Sequence, residues 1–332
     1  MTDQPRSEPF GQPPPPTREA GGVAVAEPER PESTEQLVYE TGVAFKARSQ
    51  WAYAGRRFLR HRLAMGSLLV LIGVAIAAIF ADRIAKYGYE EINLFAGGQA
   101  PAMEGSHYFG TDPLGRDYFS RVLYGIRTSL RVALIVSLLS TVIGTVVGAI
   151  AGYFGGWLDN VLMRFTDLVL TLPFLAVLLT ASATLGEGSQ YRVAVILALL
   201  FWTTLARVVR GSFLSLREKE YVEAAKASGS GDARIIFRHM LPNAMGPIIV
   251  NATLVVAIAI LIEATLSFLG FGVQPPTPAL GKLISEGQGE MIEQWWLVTF
   301  PGLTIVLIVL CINFVGDGLR DALDPTQRRV RG

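Results

Sequence analysis

Six long apolar segments dominate this sequence of 332 residues. A helix needs about 20 predominantly apolar residues to cross the roughly 30 Å hydrocarbon layer of a bilayer. Backbone polar groups in that layer must pair within the protein, and an α-helix pairs them within one segment. The sequence therefore predicts an all-α, polytopic membrane protein with about six transmembrane helices. The predicted segments are residues 64–82, 129–153, 160–184, 192–209, 247–270 and 297–316.

The composition agrees with a membrane location. The chain is 51% hydrophobic and 17% charged, whereas a soluble domain has about 25% charged residues. Its Lys and Arg residues cluster beside apolar segments rather than on one basic face, so we expect membrane lipid and no nucleic acid as a partner. The single cysteine, Cys311, lies in the last apolar segment and is interpreted as a packing residue.

The positive-inside rule predicts the orientation. Basic residues accumulate in the juxtamembrane segment 41–63, in the connection 211–246 and in the C-terminal tail 321–332. Both termini are therefore predicted to be cytoplasmic, in a multi-pass protein of the cytoplasmic (inner) membrane. Residues 1–40, rich in proline and glutamate, are predicted to form a disordered cytoplasmic tail. No apolar core precedes residue 63, so we expect no cleaved signal peptide.

The remaining residues divide into a first transmembrane helix with its outward loop, 64–128, and a transmembrane core, 129–320. Three glycines recur every four residues in the second helix: Gly144, Gly148 and Gly152. They predict close helix packing, although glycine is also common in membrane helices generally. Pro173 predicts a kink in the third helix, with a role in gating or only in local shape.

Few ionisable residues fall inside the predicted helices. Glu263 lies most clearly within one, where a carboxylate costs about 3 kcal/mol on insertion that the neighbouring apolar residues offset. It must face protein or water, as a functional channel group or as a packing group held by hydrogen bonds. Arg164 and Asp167 lie three residues apart on one face of the third helix, so we expect a local ion pair or an interface group.

The motifs of a catalytic subunit are missing from the sequence. The pair Gly281 and Lys282 is followed by leucine and has no glycine-rich run before it, so it is no nucleotide-binding loop. The three histidines are isolated, and neither Gly-x-Ser-x-Gly nor His-Glu-x-x-His occurs. We therefore expect a chain that is not an enzyme and that has no catalytic residue, no metal site and no bound cofactor.

The long cytoplasmic connection has the pattern of two short helices. Residues Phe213 to Ser228 favour a helix, and Gly229 suits the left-handed position that ends one. Asp232 is predicted to cap a second helix that ends before Pro242. The two helices would lie on the cytoplasmic surface, where the Glu223 carboxylate is available to a basic or amide group of a partner.

A second polar motif precedes the second transmembrane helix on the outward side. It reads Phe109, Gly110, Thr111, Asp112, Pro113, Leu114, Gly115, Arg116 and Asp117. Asp112 and Pro113 are predicted to be an N-cap and first-turn pair, and the two glycines permit tight turns. Arg116 and Asp117 are predicted to form a local ion pair.

These motifs resemble the permease subunits of ABC importers for dipeptides, oligopeptides and nickel, the binding-protein-dependent transport inner-membrane component family. The cytoplasmic match lies at Glu223, Ala224, Ala225, Gly229, Leu241 and Pro242. His239 stands where many members have isoleucine, and a histidine at this position is similar to the peptide-permease branch. The outward motif and residues 267–278 resemble the same subfamily, with Leu280 where tryptophan is frequent. The resemblance covers residues 45 to 320, approximately.

The resemblance implies a type I ABC importer permease fold and a channel-forming subunit that translocates dipeptides or oligopeptides. It implies four kinds of partner or ligand: a homologous second permease, two cytoplasmic ATP-binding subunits, the ATP and magnesium bound there, and an extracytoplasmic peptide-binding protein. The connection 211–246 would sit in a cleft of an ATPase subunit. The outward motif would contact the binding protein or order the channel mouth.

Other functions remain open at this point. The same subfamily includes importers of nickel and other small solutes, and selectivity normally resides in the binding protein. An ion-coupled secondary transporter with Glu263 as the coupling carboxylate is a second alternative, although no internal repeat is visible. A membrane scaffold without a transport role is a third.

Overall fold

The computed structural model describes residues 50–102, 107–184 and 189–323. Ten helices of eight or more residues lie in these ranges: α1 (Gln50–Arg60), α2 (Arg62–Ile79), α3 (Tyr118–Phe154), α4 (Gly156–Thr171), α5 (Phe174–Thr184), α6 (Gln190–Arg217), α7 (Glu220–Ala227), α8 (Leu241–Phe268), α9 (Leu280–Gly287) and α10 (Trp296–Leu323). Shorter helical turns are Ala81–Ile84, Leu94–Ala96, Asp232–Arg234, Ile235–Met240 and Gln288–Glu290. The predicted tail 1–40, residues 41–49 and residues 324–332 lie outside the described residues.

Within the described residues, five helices are long and apolar enough to cross a membrane. They are α2, α3, α6, α10 and a continuous helix, Asp232–Phe268, that includes α8. The pair α4 and α5 supplies a sixth span if it is counted as one. This agrees with the prediction of an all-α protein with about six spans. The helix α3 begins well before the apolar stretch because the Asp117 carboxylate caps it, accepting a hydrogen bond from the Ser120 N–H at 2.8 Å.

Pro173 divides the third predicted helix into two. The helix α4 ends at Thr171, Leu172 has an extended backbone, and α5 starts at Phe174. The residue before a proline avoids the helical conformation because the proline Cδ crowds its backbone. The expected kink is therefore a complete break, and the axes of α4 and α5 differ by 84°.

The three spaced glycines of α3 bring its backbone against α6. A Cβ atom on Gly144 would lie 2.7 Å from the Trp202 carbonyl oxygen, and one on Gly152 would lie 2.6 Å from Cβ of Phe213. Gly148 is equally close to the Ala206 carbonyl. Contacts this short leave no room for any side chain, so the predicted close packing is confirmed.

The buried apolar side chains form two clusters. The larger joins α3, α6, α8, α9 and α10, with Tyr118 and Leu283 at the α9 end of the molecule. The smaller lies at the opposite end, beside α7, and includes Tyr153 and Phe213. Cys311 is buried in α10, as expected of a packing residue.

Gly148→Leu is predicted to destabilise the protein because the new side chain must push α3 and α6 apart. Overpacking of this kind typically costs about 1–3 kcal/mol. Gly73→Leu in α2 is the matched control, because nothing lies within 4 Å of a Cβ placed there. Thermal unfolding in detergent should show a clear loss for Gly148→Leu and little change for Gly73→Leu, and equal stabilities would contradict the packing role.

Candidate functional site

The helix α7 has one buried face and one exposed face. Val222 is fully buried and Ala225 nearly so, in the same cluster as Phe213. Glu223 and Ala224 are exposed. Because alanine is small, the exposed face allows another protein to approach the helix closely, with the Glu223 carboxylate beside it.

Gly229 ends α7 in the left-handed conformation that the sequence predicts, with a φ angle of +76°. Its N–H donates to the Lys226 carbonyl at 3.0 Å, and the Ser230 N–H donates to the Ala225 carbonyl at 3.1 Å. These two hydrogen bonds cap the helix and reverse the chain. No atom lies within 4 Å of a Cβ placed on Gly229, so glycine is favoured here by the backbone conformation alone.

The prediction of one helix over Phe213–Ser228 is wrong. The helix α6 ends at Arg217, and α7 begins at Glu220. Lys219 between them is extended, and its carbonyl accepts a hydrogen bond from the Val222 N–H at 2.9 Å. This break allows Val222 to be buried in the cluster that contains Phe213.

The prediction that a helix capped by Asp232 ends before Pro242 is also wrong. Gly231 is the N-cap residue, and the helix continues to Phe268. Residues Ile235–Met240 form a π-helix in which the Leu241 N–H donates to the carbonyl five residues earlier. The π-helix ends at Met240, and Pro242, which has no N–H to donate, stands in the first turn of α8. His239 and Leu241 therefore belong to this continuous helix, and Pro242 is exposed on it.

Tyr153, at the end of α3, connects this segment to the membrane helices. Its hydroxyl donates to Asp232 Oδ1 at 2.6 Å, and Lys226 Nζ lies 5.6 Å from its ring centroid. Its carbonyl accepts a hydrogen bond from Arg217 Nη1 at 3.3 Å. Sequence reasoning missed Tyr153 because its partners lie 64 to 79 residues away along the chain.

Tyr221 joins α7 to the first turn of α8. Asn243 Nδ2 donates to the Tyr221 hydroxyl oxygen at 3.4 Å and to the His239 carbonyl at 2.6 Å. Partial burial raises the pKa of the Tyr221 phenol above its ordinary value. Asn243 therefore links α7 to the π-helix residue His239.

The outward motif lies at the other end of the molecule, near α9. Gly110 and Gly115 have φ angles of +75° and +73°, as tight turns require. The Thr111 hydroxyl donates to the Ala96 carbonyl at 2.5 Å and accepts from the Gln99 N–H at 2.8 Å. Thr111 thus attaches the loop after α2 to the start of α3.

Asp112 is the centre of a buried ionic network. Its Oδ2 accepts hydrogen bonds from Arg116 Nε at 2.6 Å and from Arg121 Nη1 at 2.8 Å. Arg121 also donates to Glu286 Oε2 at 2.9 Å, so the network reaches α9. The predicted pair of Arg116 with Asp117 is wrong, because Asp112 lies one turn before Arg116 and accepts its side chain. Asp112 is also no helix N-cap; its Oδ1 accepts from the N–H groups of Leu114 and Arg116 within a turn.

Asp117 is the residue that caps α3. Its Oδ2 accepts hydrogen bonds from the N–H and the hydroxyl of Ser120, and its Oδ1 lies 2.8 Å from His107 Nδ1. Next to it, the Tyr118 hydroxyl donates to the Leu297 carbonyl at 2.5 Å, while Trp296 Nε1 donates to the Thr111 carbonyl at 3.1 Å. The outward motif is thereby joined to the first turn of α10.

Glu263 is fully buried in α8. Its two carboxyl oxygens accept hydrogen bonds from Ser129 of α3 and from Ser267, each at 2.7 Å. The Ser267 hydroxyl also accepts from the Val273 N–H at 3.3 Å. Glu263 thus connects α3, α8 and the chain that follows α8, and within the described chain it has no access to solvent.

The predicted ion pair of Arg164 with Asp167 is wrong. Asp167 accepts a hydrogen bond from Arg207 Nη2 of α6 at 2.6 Å. Nearer the α7 end, Arg210 of α6 pairs with Asp159 of α4 through two hydrogen bonds of 2.5 and 2.6 Å. Close packing of α6 on α4 offers Asp167 a partner from another helix, and Arg164 remains exposed.

Two family models match the chain. Residues 144–329 match the binding-protein-dependent transport system inner membrane component, and residues 49–101 match the N-terminal transmembrane domain of oligopeptide transport permease C. The range 144–329 includes the cytoplasmic motif, whereas the outward motif lies between the two matched ranges.

Several characterised proteins are similar over most of their length. The oligopeptide transport system permease protein OppC of Escherichia coli (strain K12) is 42% identical over 283 residues, which are 85% of this chain and 93% of that protein. The dipeptide transport system permease protein DppC of Alkalihalophilus pseudofirmus is 39% identical over 312 residues, 94% of this chain and 99% of that protein.

A solved structure shares the fold. It is an inward-facing conformation of the MetNI methionine ABC transporter, with a TM-score of 0.51 over 62% of this chain and 97% of the matched chain. The two sequences are 20% identical, so this likeness concerns the fold alone. It agrees with the predicted type I ABC importer permease fold.

Asp112→Asn is predicted to destabilise the α9 end strongly. Arg121 is 6% exposed and would lose one of its two carboxylate partners, and breaking a buried ion pair typically costs about 3–5 kcal/mol. The control is Arg127→Gln, whose partner Asp82 is largely exposed, so its loss should cost less than about 1 kcal/mol. Thermal unfolding of both variants checks this, and an Asp112→Asn protein as stable as the control would refute it.

Proposed function

Because this chain belongs to the family of binding-protein-dependent transport system inner membrane components, we propose that it is a channel-forming permease subunit of an ATP-driven importer of dipeptides or oligopeptides. The observation that supports the substrate class is the identity of about 40%, over more than nine-tenths of their lengths, to an oligopeptide and a dipeptide permease. The chain is a transport subunit and not an enzyme.

We propose that two ATP-binding subunits associate with the α7 end of the molecule. ATP and magnesium would bind in those subunits, since this sequence has no nucleotide-binding loop. The α7 end would then face the cytoplasm, as the basic residues of the connection 211–246 favour. A homologous second permease would complete the channel, and an extracytoplasmic peptide-binding protein would dock at the α9 end.

The connections of α7 support a role in coupling. Its exposed face has Glu223 and Ala224, and its buried face packs in the cluster with Phe213. Tyr153 links the segment to α3, and the helix from Asp232 to Phe268 runs from the segment into the membrane without a break. A displacement of α7 by an ATPase subunit would therefore move both membrane helices with it.

The structure gives the ion-coupled alternative little support. A coupling carboxylate must exchange its ion with both sides of the membrane, yet Glu263 is fully buried and both of its oxygens accept hydrogen bonds from serines. A packing role for Glu263, linking α3 to α8, fits this geometry.

Copurification of the chain from its native membrane tests the proposal. We expect a second permease and ATP-binding subunits in the purified complex, identified by mass spectrometry, with ATP hydrolysis stimulated by the binding protein loaded with a short peptide. If nickel and not peptide stimulates ATP hydrolysis, the substrate is nickel and the proposed peptide substrate is wrong. Recovery of this chain alone, with ATP-independent transport, would refute the importer function.

Glu223→Ala and Gly229→Val are predicted to uncouple ATP hydrolysis from uptake. The first removes the carboxylate from the exposed face, and the second strains a left-handed turn that has open space around it. The control is Glu218→Ala, at an exposed position between α6 and α7. Peptide uptake per ATP hydrolysed should fall at least about tenfold in both variants and stay normal in the control, given a coupling cost near 1.4 kcal/mol. Absence of the assembled complex from the membrane would count against the coupling role.

A further inference from the structure

The helix α4 has two different exposed stripes along its length. One is apolar and consists of Trp157, Val161, Phe165 and Leu168. The other is polar and consists of Asn160, Arg164 and Thr171, which are exposed, and of Asp167, whose side chain is 45% exposed. Members of each stripe recur at intervals of three or four residues, so each occupies one face of the helix. A helix that contacts lipid on all its exposed sides would not have the second stripe.

The charges on α4 and the adjoining part of α6 do not balance. Two aspartates of α4 pair with two arginines of α6: Asp167 with Arg207, and Asp159 with Arg210. Arg164 is a third arginine at this surface. It forms no ion pair with any residue in 50–102, 107–184 and 189–323. The surface therefore has one excess positive charge, which is exposed.

Arg164 and Asp167 lie deep along their helix. At 1.5 Å per residue they are about 12 and 16 Å from Gly156 along the axis of α4, so they lie at least two turns inside the candidate span that α4 and α5 form together. Charged side chains at such a depth face water or protein, since exposure to lipid is costly. In the pair of Arg207 with Asp167, the two side chains are 51% and 45% exposed, so this chain alone does not cover them.

We propose that the polar stripe of α4, together with Arg207, lines the water-filled path of the importer, and that Arg164 binds the C-terminal carboxylate of a peptide in transit. This inference rests on the function proposed above. A guanidinium group forms two parallel hydrogen bonds with a carboxylate, which every unmodified peptide has whatever its side chains. Asp167, one turn away, limits the net positive charge, so the carboxylate is held weakly enough to be released.

Cysteine accessibility tests where the stripe faces. In a Cys311→Ala background, Arg164→Cys and the control Leu168→Cys on the apolar stripe are treated with a water-soluble cationic thiol reagent in membranes that contain the whole complex. We expect Arg164→Cys to react at least about tenfold faster than Leu168→Cys, since the reagent is excluded from lipid. An unreactive Arg164→Cys would place the stripe against lipid or a second subunit and overturn the proposal.

Uptake of trialanine into proteoliposomes tests the role of Arg164. Arg164→Gln should reduce uptake at limiting peptide at least about tenfold, the loss expected for one charge-assisted hydrogen-bonded contact. Arg164→Lys should restore most of it, because lysine keeps the charge.

The outcomes separate this inference from the proposed function. If the unaltered complex shows no ATP-dependent uptake of trialanine, the proposed function fails. If it does transport and Arg164→Gln transports equally well, only the assignment of Arg164 is wrong. Equal losses in Arg164→Gln and Arg164→Lys would indicate a structural role and would likewise overturn the assignment.

Discussion

The close approach of α3 and α6 determines where the coupling segment and the charged surface of α4 lie. Three glycines allow the two backbones to touch, which only residues without a side chain permit. Tyr153 follows Gly152 directly and so reaches Asp232 and Lys226 at the α7 end. In the part of α6 that contacts α3, the side chains of Arg207 and Arg210 pair with α4. One packing contact thus orients both the coupling segment and the charged surface of α4.

The two ends of the molecule differ in how they are held. At the α9 end, Asp112, Arg121 and Glu286 form a largely buried network, and Trp296 and Tyr118 hydrogen-bond to neighbouring carbonyls. At the α7 end, a short helix with exposed Glu223 and Ala224 is joined to α3 and to the continuous helix that ends at Phe268. The α7 end therefore presents an exposed helix to a partner, whereas the loops of the α9 end are held by ion pairs and hydrogen bonds.

Features set by local chemistry could be predicted from the sequence. The apolar segments, the left-handed Gly229, the break at Pro173 and the glycine contacts each follow from a few neighbouring residues. Ion-pair partners could not be predicted where more than one partner was available: Arg116 has an aspartate on either side, and Asp167 has Arg164 one turn away. In the structure Arg116 pairs with Asp112, and Asp167 pairs with Arg207. The continuous helix through Pro242 could not be predicted either, because a π-helix is rare and a proline usually indicates the end of a helix.

The central claim is that this chain and its partners move peptides at the expense of ATP. Its most direct test is the accumulation of labelled trialanine in proteoliposomes that contain the purified complex, with ATP at the α7 side and binding protein at the other side. The account predicts accumulation that requires ATP and continues after proton and sodium gradients are dissipated. Accumulation that does not require ATP and stops when an ion gradient is dissipated would contradict it.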